Sequence, residues 1–189
     1  MSKKQVEKTE ATSPTLREKF TFKVWWHEGM KSPVKFFSGM TLIVVALVAG
    51  IYLPKHISYT VTKSLDHRLF YLHDSWESIA QGEYIMFDHT TPWTEKNPNA
   101  PTLLIKQIGC APGSNLSISE EREFFCDGVL LGKALSHDSA GKEVEQFDFN
   151  GIIPANKYFV KGQHERSYDS KYYGFIDGAD VVKKVTPLI

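Results

Sequence analysis

The amino-acid sequence predicts a mainly β domain that is carried on one hydrophobic N-terminal helix. Residues 36–53 contain no charged side chain, whereas the chain beyond residue 54 breaks into short apolar runs that end at turn residues. Runs of this kind, about four to eight residues long, are typical of β-strands. A chain of 189 residues, 42% of them hydrophobic, suffices for one such domain with an appended segment.

The uncharged segment at 36–53 has the length of a membrane span. In a helix that rises about 1.5 Å per residue it would extend roughly 27 Å, close to the thickness of a bilayer core. A buried core helix would usually show a polar stripe, and this segment shows none. A cleaved signal peptide would have a short basic lead and a small-x-small cleavage site, but here 35 residues precede the segment. We therefore interpret it as an uncleaved anchor.

The charge distribution predicts the orientation of this anchor. Residues 1–35 carry eight Lys or Arg against four Glu, although the whole chain has a net charge of zero. The positive-inside rule then predicts a cytoplasmic tail at 1–35, a span at 36–53 in the bacterial inner membrane and a periplasmic domain at 54–189. Basic residues just after the span weaken this asymmetry. The mildly acidic body argues against nucleic acid as a partner.

Several segments of the body have the pattern of strands and turns. The hairpin at 124–134 is predicted to turn at Asp127-Gly128. The remaining predicted strands lie within 82–89, 102–110, 151–162 and 177–189, and the predicted loops are 94–101 and 136–146.

Cys110 and Cys126 are the two cysteines of the chain. Since they form no CxxC motif and the histidines show no ligand spacing, we predict neither a metal site nor a cofactor. An oxidising compartment would favour a disulfide between them, whereas two buried free thiols are the alternative.

Two side chains have the chemistry of a nucleophile and its base. A serine hydroxyl attacks poorly unless a base removes its proton, and lysine can be that base only when it is neutral. Lys106 lies in the run LLIKQIG, where Leu104 and Ile108 would share its face of a strand. Burial among such neighbours disfavours the ammonium form. Ser64, shortly after the hydrophobic segment, is the candidate nucleophile.

Four motifs in order make the chain resemble the signal peptidase I superfamily of Ser-Lys peptidases. An N-terminal anchor is followed by Thr62-Lys63-Ser64, then by KQIGCAPGS at 106–114, and finally by Gly162 with SYDSKYYG at 167–174. The resemblance covers roughly residues 36–189. It implies an anchored β domain that cleaves leader peptides from exported precursor proteins.

The resemblance also implies roles for single residues. Ser64 would be the nucleophile and Lys106 the general base. Ser167 would bond the lysine amine, and Asp169 would hold the late motif in place, with Lys171 as a candidate partner. The Ser64 backbone N–H would bind the oxyanion, to which Thr62 could add its hydroxyl.

The run GEYIMF resembles the strand that lies beside substrate in this family. An extended substrate would then pair as an added strand beside residues 82–88. The predicted substrate-binding residues are Tyr84, Ile85, Met86 and Phe87.

Departures from the housekeeping pattern indicate a branch of the family. Leu65-Asp66 replaces Met and a nearby Pro, Ser114 replaces the Asp of a Pro-Gly-Asp turn, and Gln163-His164 replaces Asp-Asn. The serine motif and the short late motif resemble the TraF-type peptidases, which mature the pilin of conjugative type IV secretion systems. Pilin is therefore the expected substrate.

Three alternatives remain at the level of the sequence. A housekeeping signal peptidase would use the same chemistry on a wider set of precursors. A catalytically inactive subunit could instead organise pilus assembly. Within the site, a pairing of Ser64 with His164 is conceivable, although His164 lies beside a position that is non-catalytic in the family.

Overall fold

A computed structural model describes residues 32–90, 95 and 102–189. The predicted basic segment up to residue 31 and the predicted loop at 94–101, apart from Glu95, therefore lie outside the described residues. The chain divides into two units, residues 1–52 and 53–189.

Helix α1 spans Pro33–His56 and contains the whole predicted hydrophobic segment. Within the described residues it is the one helix long and apolar enough to cross a bilayer, and very little of it is buried. Pro54 lies inside the helix, and the basic residues Lys55 and His56 lie in its last turn. The helix fits a single-pass anchor.

The second unit is built mainly from two antiparallel sheets. The large sheet has seven strands in the order β1-β2-β11-β3-β4-β9-β10, and the small sheet has four in the order β7-β6-β5-β8. The strands of the first half are β1 (Ile57–Tyr59), β2 (Leu69–Leu72), β3 (Tyr84–Asp88), β4 (Leu103–Cys110), β5 (Asn115–Ile118) and β6 (Glu123–Cys126). Those of the second half are β7 (Val129–Lys133), β8 (Gly151–Ile152), β9 (Lys157–Lys161), β10 (Ile176–Asp177) and β11 (Val181–Pro187).

Two short helical segments lie in the last quarter of the chain. Helix α2 spans Ser170–Tyr173, and a 3₁₀ helix spans Gly178–Asp180. The predicted mainly β class is therefore confirmed.

The hairpin of β6 and β7 shows how the sequence dictates a turn. Asp127 has φ 47° and Gly128 has φ 83°, so both central residues have a positive φ. A two-residue turn of this type matches the twist of the flanking strands, and Asp-Gly tolerates it better than most residue pairs. The predicted turn is confirmed.

Strand β4 lies inside the large sheet and carries Lys106. Lys106 is opposite Ile85 on β3, and Leu104 and Ile108 pack in the same apolar cluster as Ile85. Lys106 thus shares its face of strand β4 with apolar side chains, as the alternation predicts. A disulfide between Cys110 and Cys126 joins the end of β4 to β6, and thus links the two sheets.

Strand β3 has no free edge for a substrate. It pairs with β4 on one side and with β11 on the other, and Ile85 and Phe87 are fully buried. Tyr84 and Met86 are also buried, on the opposite face. The prediction of an added substrate strand beside residues 82–88 is therefore wrong, because β11 from the end of the chain already occupies that edge.

Candidate active site

Among the described residues, the buried amine of Lys106 is bonded to a hydroxyl and not to a carboxylate. Its side chain is 5% exposed, and Nζ donates to the Ser167 hydroxyl at 2.8 Å. Burial lowers the pKa of Lys106 to about 8; the negative charge of Asp169 raises it, and the positive charge of Lys171 lowers it again. Since burial is the largest of these effects, a substantial fraction of this lysine is neutral at a mildly alkaline pH.

The late motif holds Ser167 against the lysine through a buried ion pair. Asp169 accepts from Lys171 Nζ at 2.8 and 2.7 Å and from the backbone N–H of Gly162 at 2.8 Å. It also caps helix α2 by accepting from the Lys171 backbone N–H. The Ser170 hydroxyl binds the N–H of Val160 on β9 at 2.9 Å. These contacts fix the segment that presents Ser167.

Ser64 lies in a turn rather than in a strand. Residues 62–66 form turns and bends, and the half-buried Ser64 is followed by the buried Leu65. The Ser64 carbonyl accepts from the backbone N–H of Gln163 at 2.8 Å and of His164 at 3.3 Å. Its hydroxyl lies 3.2 Å from the Thr62 hydroxyl. The serine is thus positioned by the late motif and not by a strand ladder.

Gly162 marks the point where the two serine-bearing segments meet. A side chain at this position would collide with the Ser167 hydroxyl and would lie 2.7 Å from the Ser64 carbonyl oxygen. Only glycine permits so close an approach. Through Gly162, the segment of Ser64 comes next to the Ser167–Lys106 pair.

The structure thus brings together the segments of Ser64, Lys106, Ser167 and Asp169. Thr62 lies at the Ser64 hydroxyl, and the expected pairing of Asp169 with Lys171 is present. Within the described residues, the Ser64 and Lys106 side chains bond to Thr62 and Ser167, not to each other. A catalytic hydrogen bond that is long before substrate binds is common in such sites.

Two features of the site were not expected from the sequence. Gln163 donates to the Tyr84 hydroxyl at 3.0 Å and accepts from the Asp66 N–H at 2.8 Å. Its position directly after Gly162 in the late motif was the available signal. The second feature is a free edge on β4: β9 pairs with β4 from Gln107 onward, and no described strand pairs with residues 103–106 on that side.

No group of His, Cys, Asp or Glu among the described residues has the arrangement of a metal site. The side chains that come together at the candidate site carry hydroxyl, amine and carboxylate groups. His164 is exposed, and its ring accepts from the Arg166 backbone N–H at 3.1 Å.

One solved structure and one family model resemble this chain. A signal peptidase I from Enterococcus faecalis is similar in structure, with 23% sequence identity and a TM-score of 0.37, over 59% of this chain and all of the other. No curated protein matches the sequence significantly. The family model for signal peptidase, peptidase S26, matches residues 30–189. The chain therefore belongs to the S26 family of signal peptidases and is a serine peptidase.

Proposed function

We propose that the chain is a membrane-anchored endopeptidase in which Ser64 is the nucleophile and Lys106 the general base. The observation that carries this proposal is the environment of Lys106. Its amine is buried, has a pKa near 8 and contacts a neutral hydroxyl rather than a carboxylate. An amine in this environment can accept a proton, which a fully exposed lysine rarely does near neutral pH.

In the proposed reaction, the Ser64 hydroxyl attacks the scissile carbonyl carbon while its proton passes to Lys106 Nζ. Collapse of the tetrahedral intermediate breaks the peptide bond, and the lysine ammonium gives the proton to the leaving amine. A water molecule then attacks the acyl-enzyme carbonyl while Lys106 takes its proton. The bond between the carbonyl carbon and Ser64 Oγ breaks, and Lys106 returns the proton to the serine. Ser167 keeps the amine directed toward this proton transfer, because it already bonds Nζ.

The oxyanion of the intermediate would be bound by the Ser64 backbone N–H. The Thr62 hydroxyl, 3.2 Å from the Ser64 hydroxyl, is close enough to supply a second donor. Such donors stabilise the charge that develops in the transition state. Thr62→Val should therefore lower kcat more than it raises KM.

We place the extended substrate along the free edge of β4 at residues 103–106. This edge ends at Lys106 itself, so a strand paired there would carry its scissile bond past the amine. Main-chain hydrogen bonds would supply much of the affinity, and the Leu104 face would contact alternate side chains.

The proposed substrate is a pilin precursor of a conjugative type IV secretion system. The serine motif and the short late motif support it, since both resemble the TraF-type branch. The proposed topology has residues 1–35 in the cytoplasm, the span at 36–53 and the peptidase domain at 54–189 in the periplasm. The disulfide of Cys110 and Cys126 is consistent with an oxidising compartment.

Co-expression with two precursors tests the function. A conjugative pilin precursor and a general secretory precursor are each produced with the wild type or with Ser64→Ala, and their masses are read. We expect trimming of the pilin by the wild type alone. Trimming of both precursors would favour a housekeeping enzyme, and identical masses with both forms would indicate an inactive assembly subunit.

The topology has a separate test. Alkaline phosphatase fused after Ile189 should be active, because it folds only where its disulfides form. A stable but inactive fusion would contradict the periplasmic placement.

A further inference from the structure

Gln163, in the late motif, connects the turn that carries Ser64 with strand β3, and these three segments are distant from one another in sequence. Its backbone N–H binds the Ser64 carbonyl at 2.8 Å, and its side-chain oxygen accepts from the Asp66 N–H at 2.8 Å. Its side-chain nitrogen donates to the Tyr84 hydroxyl at 3.0 Å. One residue therefore contacts the main chain on both sides of Leu65 and links it to strand β3.

The turn that carries Ser64 needs such a connection. Residues 62–66 belong to no strand or helix, so no regular ladder fixes them. Leu65 is buried in the cluster that contains Tyr84, which holds the turn down but does not fix the direction of its peptide groups. Hydrogen bonds to the peptide groups themselves can fix that direction.

The far end of the connection is rigid. Tyr84 is buried on an interior strand, opposite Gln107 and one residue from the Ile85–Lys106 pair. Its ring also packs against Phe70 at a centroid distance of 5.7 Å. The Gln163 side chain thus ties the serine turn to the strand that faces the lysine strand.

We propose that Gln163 is a positioning residue that sets the distance between the Ser64 hydroxyl and the Lys106 amine. This inference rests on the proposed roles of Ser64 and Lys106. A primary amide suits the position because it accepts with one atom and donates with the other. None of its hydrogen bonds among the described residues reaches residues 103–106, so it acts on the reaction through Ser64.

The principal test is Gln163→Leu, which keeps the size of the side chain and removes both of its hydrogen bonds. We expect kcat to fall roughly 10- to 100-fold, since a misplacement of about 1 Å can have an effect of that size. KM should stay within about twofold, because uniform binding is untouched. Assays at about pH 10, above the pKa of Lys106, keep lysine protonation out of the comparison.

Gln146→Leu is the matched control. Gln146 accepts from Arg122 Nε at 2.8 Å in a loop beside the small sheet, so the same substitution removes a side-chain hydrogen bond of similar length away from Ser64. It should keep the wild-type kcat. The melting temperatures of both variants identify a purely structural effect, which would lower stability and leave the kcat of the folded fraction unchanged.

Two further variants test whether Gln163 acts through its hydrogen bonds to Asp66 and Tyr84. Gln163→Glu can accept from both the Asp66 N–H and the Tyr84 hydroxyl, so it should recover most of kcat. Tyr84→Phe removes only the far hydrogen bond, and combining it with Gln163→Leu should cost no more than Gln163→Leu alone.

The outcomes separate this inference from the proposed function. If Ser64→Ala is inactive while Gln163→Leu cleaves at the wild-type rate, the positioning role is wrong and the nucleophile assignment stands. Independent, multiplying losses in Gln163→Leu and Tyr84→Phe would also overturn the role. If Ser64→Ala keeps full activity, the proposed function itself fails.

Discussion

Two buried lysines lie close together in this molecule, and their surroundings differ in one respect. Lys106 is 5% exposed and Lys171 is 3% exposed. Lys171 contacts both carboxylate oxygens of the buried Asp169, at 2.8 and 2.7 Å. The hydrogen bond of the Lys106 amine within the described residues goes to the hydroxyl of Ser167. The two lysines are thus buried to a similar extent, but only Lys171 is paired with a carboxylate among the described residues.

This difference shows that burial alone does not decide what a lysine does. A buried ammonium paired with a carboxylate keeps its proton and can hold a segment in place. A buried amine next to a neutral hydroxyl has no countercharge to offset its desolvation, so its ammonium form is disfavoured and its pKa falls. Asp169 raises the pKa of Lys106, but its oxygens are already bonded to Lys171 and Gly162. The ion pair therefore supports the site and leaves the second lysine available for proton transfer.

The largest expected effect comes from Lys106→Arg. Guanidinium remains protonated at any accessible pH and cannot accept the serine proton. We expect precursor cleavage to fall by about 10²- to 10⁴-fold, as far as in Lys106→Ala. Single-turnover cleavage in detergent measures it. Near-normal cleavage by Lys106→Arg would show that Lys106 is not the general base.

Asp169→Asn tests the structural lysine. It leaves the ammonium of Lys171 buried without a countercharge, so the free energy of unfolding should fall by about 3–5 kcal/mol. Loss of the carboxylate also removes the charge that raises the pKa of Lys106. The acid limb of the pH–rate profile should therefore move to lower pH, while the folded fraction keeps more activity than Lys106→Arg. A profile that moves to higher pH would contradict this electrostatic account.

Lys106→Met tests how much the buried Lys106 ammonium lowers the free energy of unfolding. Below pH 8 both folded and unfolded wild type are protonated at Lys106, and the folded state bears the full penalty of a buried ammonium. That penalty declines as pH rises from about 8 to 10.5, where the unfolded lysine also loses its proton.

The stability advantage of Lys106→Met over the wild type should thus shrink by about 3 kcal/mol between pH 7 and pH 10.5. The unbonded Ser167 hydroxyl costs the variant the same at both values of pH, so it does not affect this difference. Denaturant unfolding at the two values measures it. A constant advantage would mean that the lysine pKa is normal.

The smallest effect is expected from Lys63→Ala. Lys63 is adjacent to Ser64 in sequence, yet its side chain is exposed. Lys63 therefore lacks the burial that lowers the pKa of Lys106, and we expect it to take no part in proton transfer. Cleavage should stay within about twofold of the wild type. A loss comparable to that of Lys106→Arg would show that proximity in sequence matters more than burial.

Much of this contrast could be predicted from the sequence, because it depends on local patterns. Alternation in LLIKQIG places Leu104 and Ile108 around Lys106, and Asp127-Gly128 specifies its hairpin turn. The resemblance supplied Ser167 and Asp169. The turn at residues 62–66, which carries Ser64, has no comparable local pattern.

The remaining features depend on contacts between distant parts of the chain. Strand β11, from the end of the sequence, inserts between β2 and β3 and closes the edge that the sequence left open to a substrate. The contacts of Gln163 with Asp66 and Tyr84 join residues 97 and 79 positions apart. Strands β1 and β10 have only three and two residues, too few to show the alternation by which strands are recognised in a sequence.

The most direct test of the central claim is the pH dependence of Ser64 acylation in the wild type. The rate with a serine-directed acylating probe, measured as a second-order constant, reports the pKa of the base in the free enzyme. We predict a rise with pH as one proton is lost, with a midpoint near 8, the pKa of Lys106. A midpoint near the ordinary histidine value of about 6.5 that disappears in His164→Ala would contradict the assignment of Lys106 as the base.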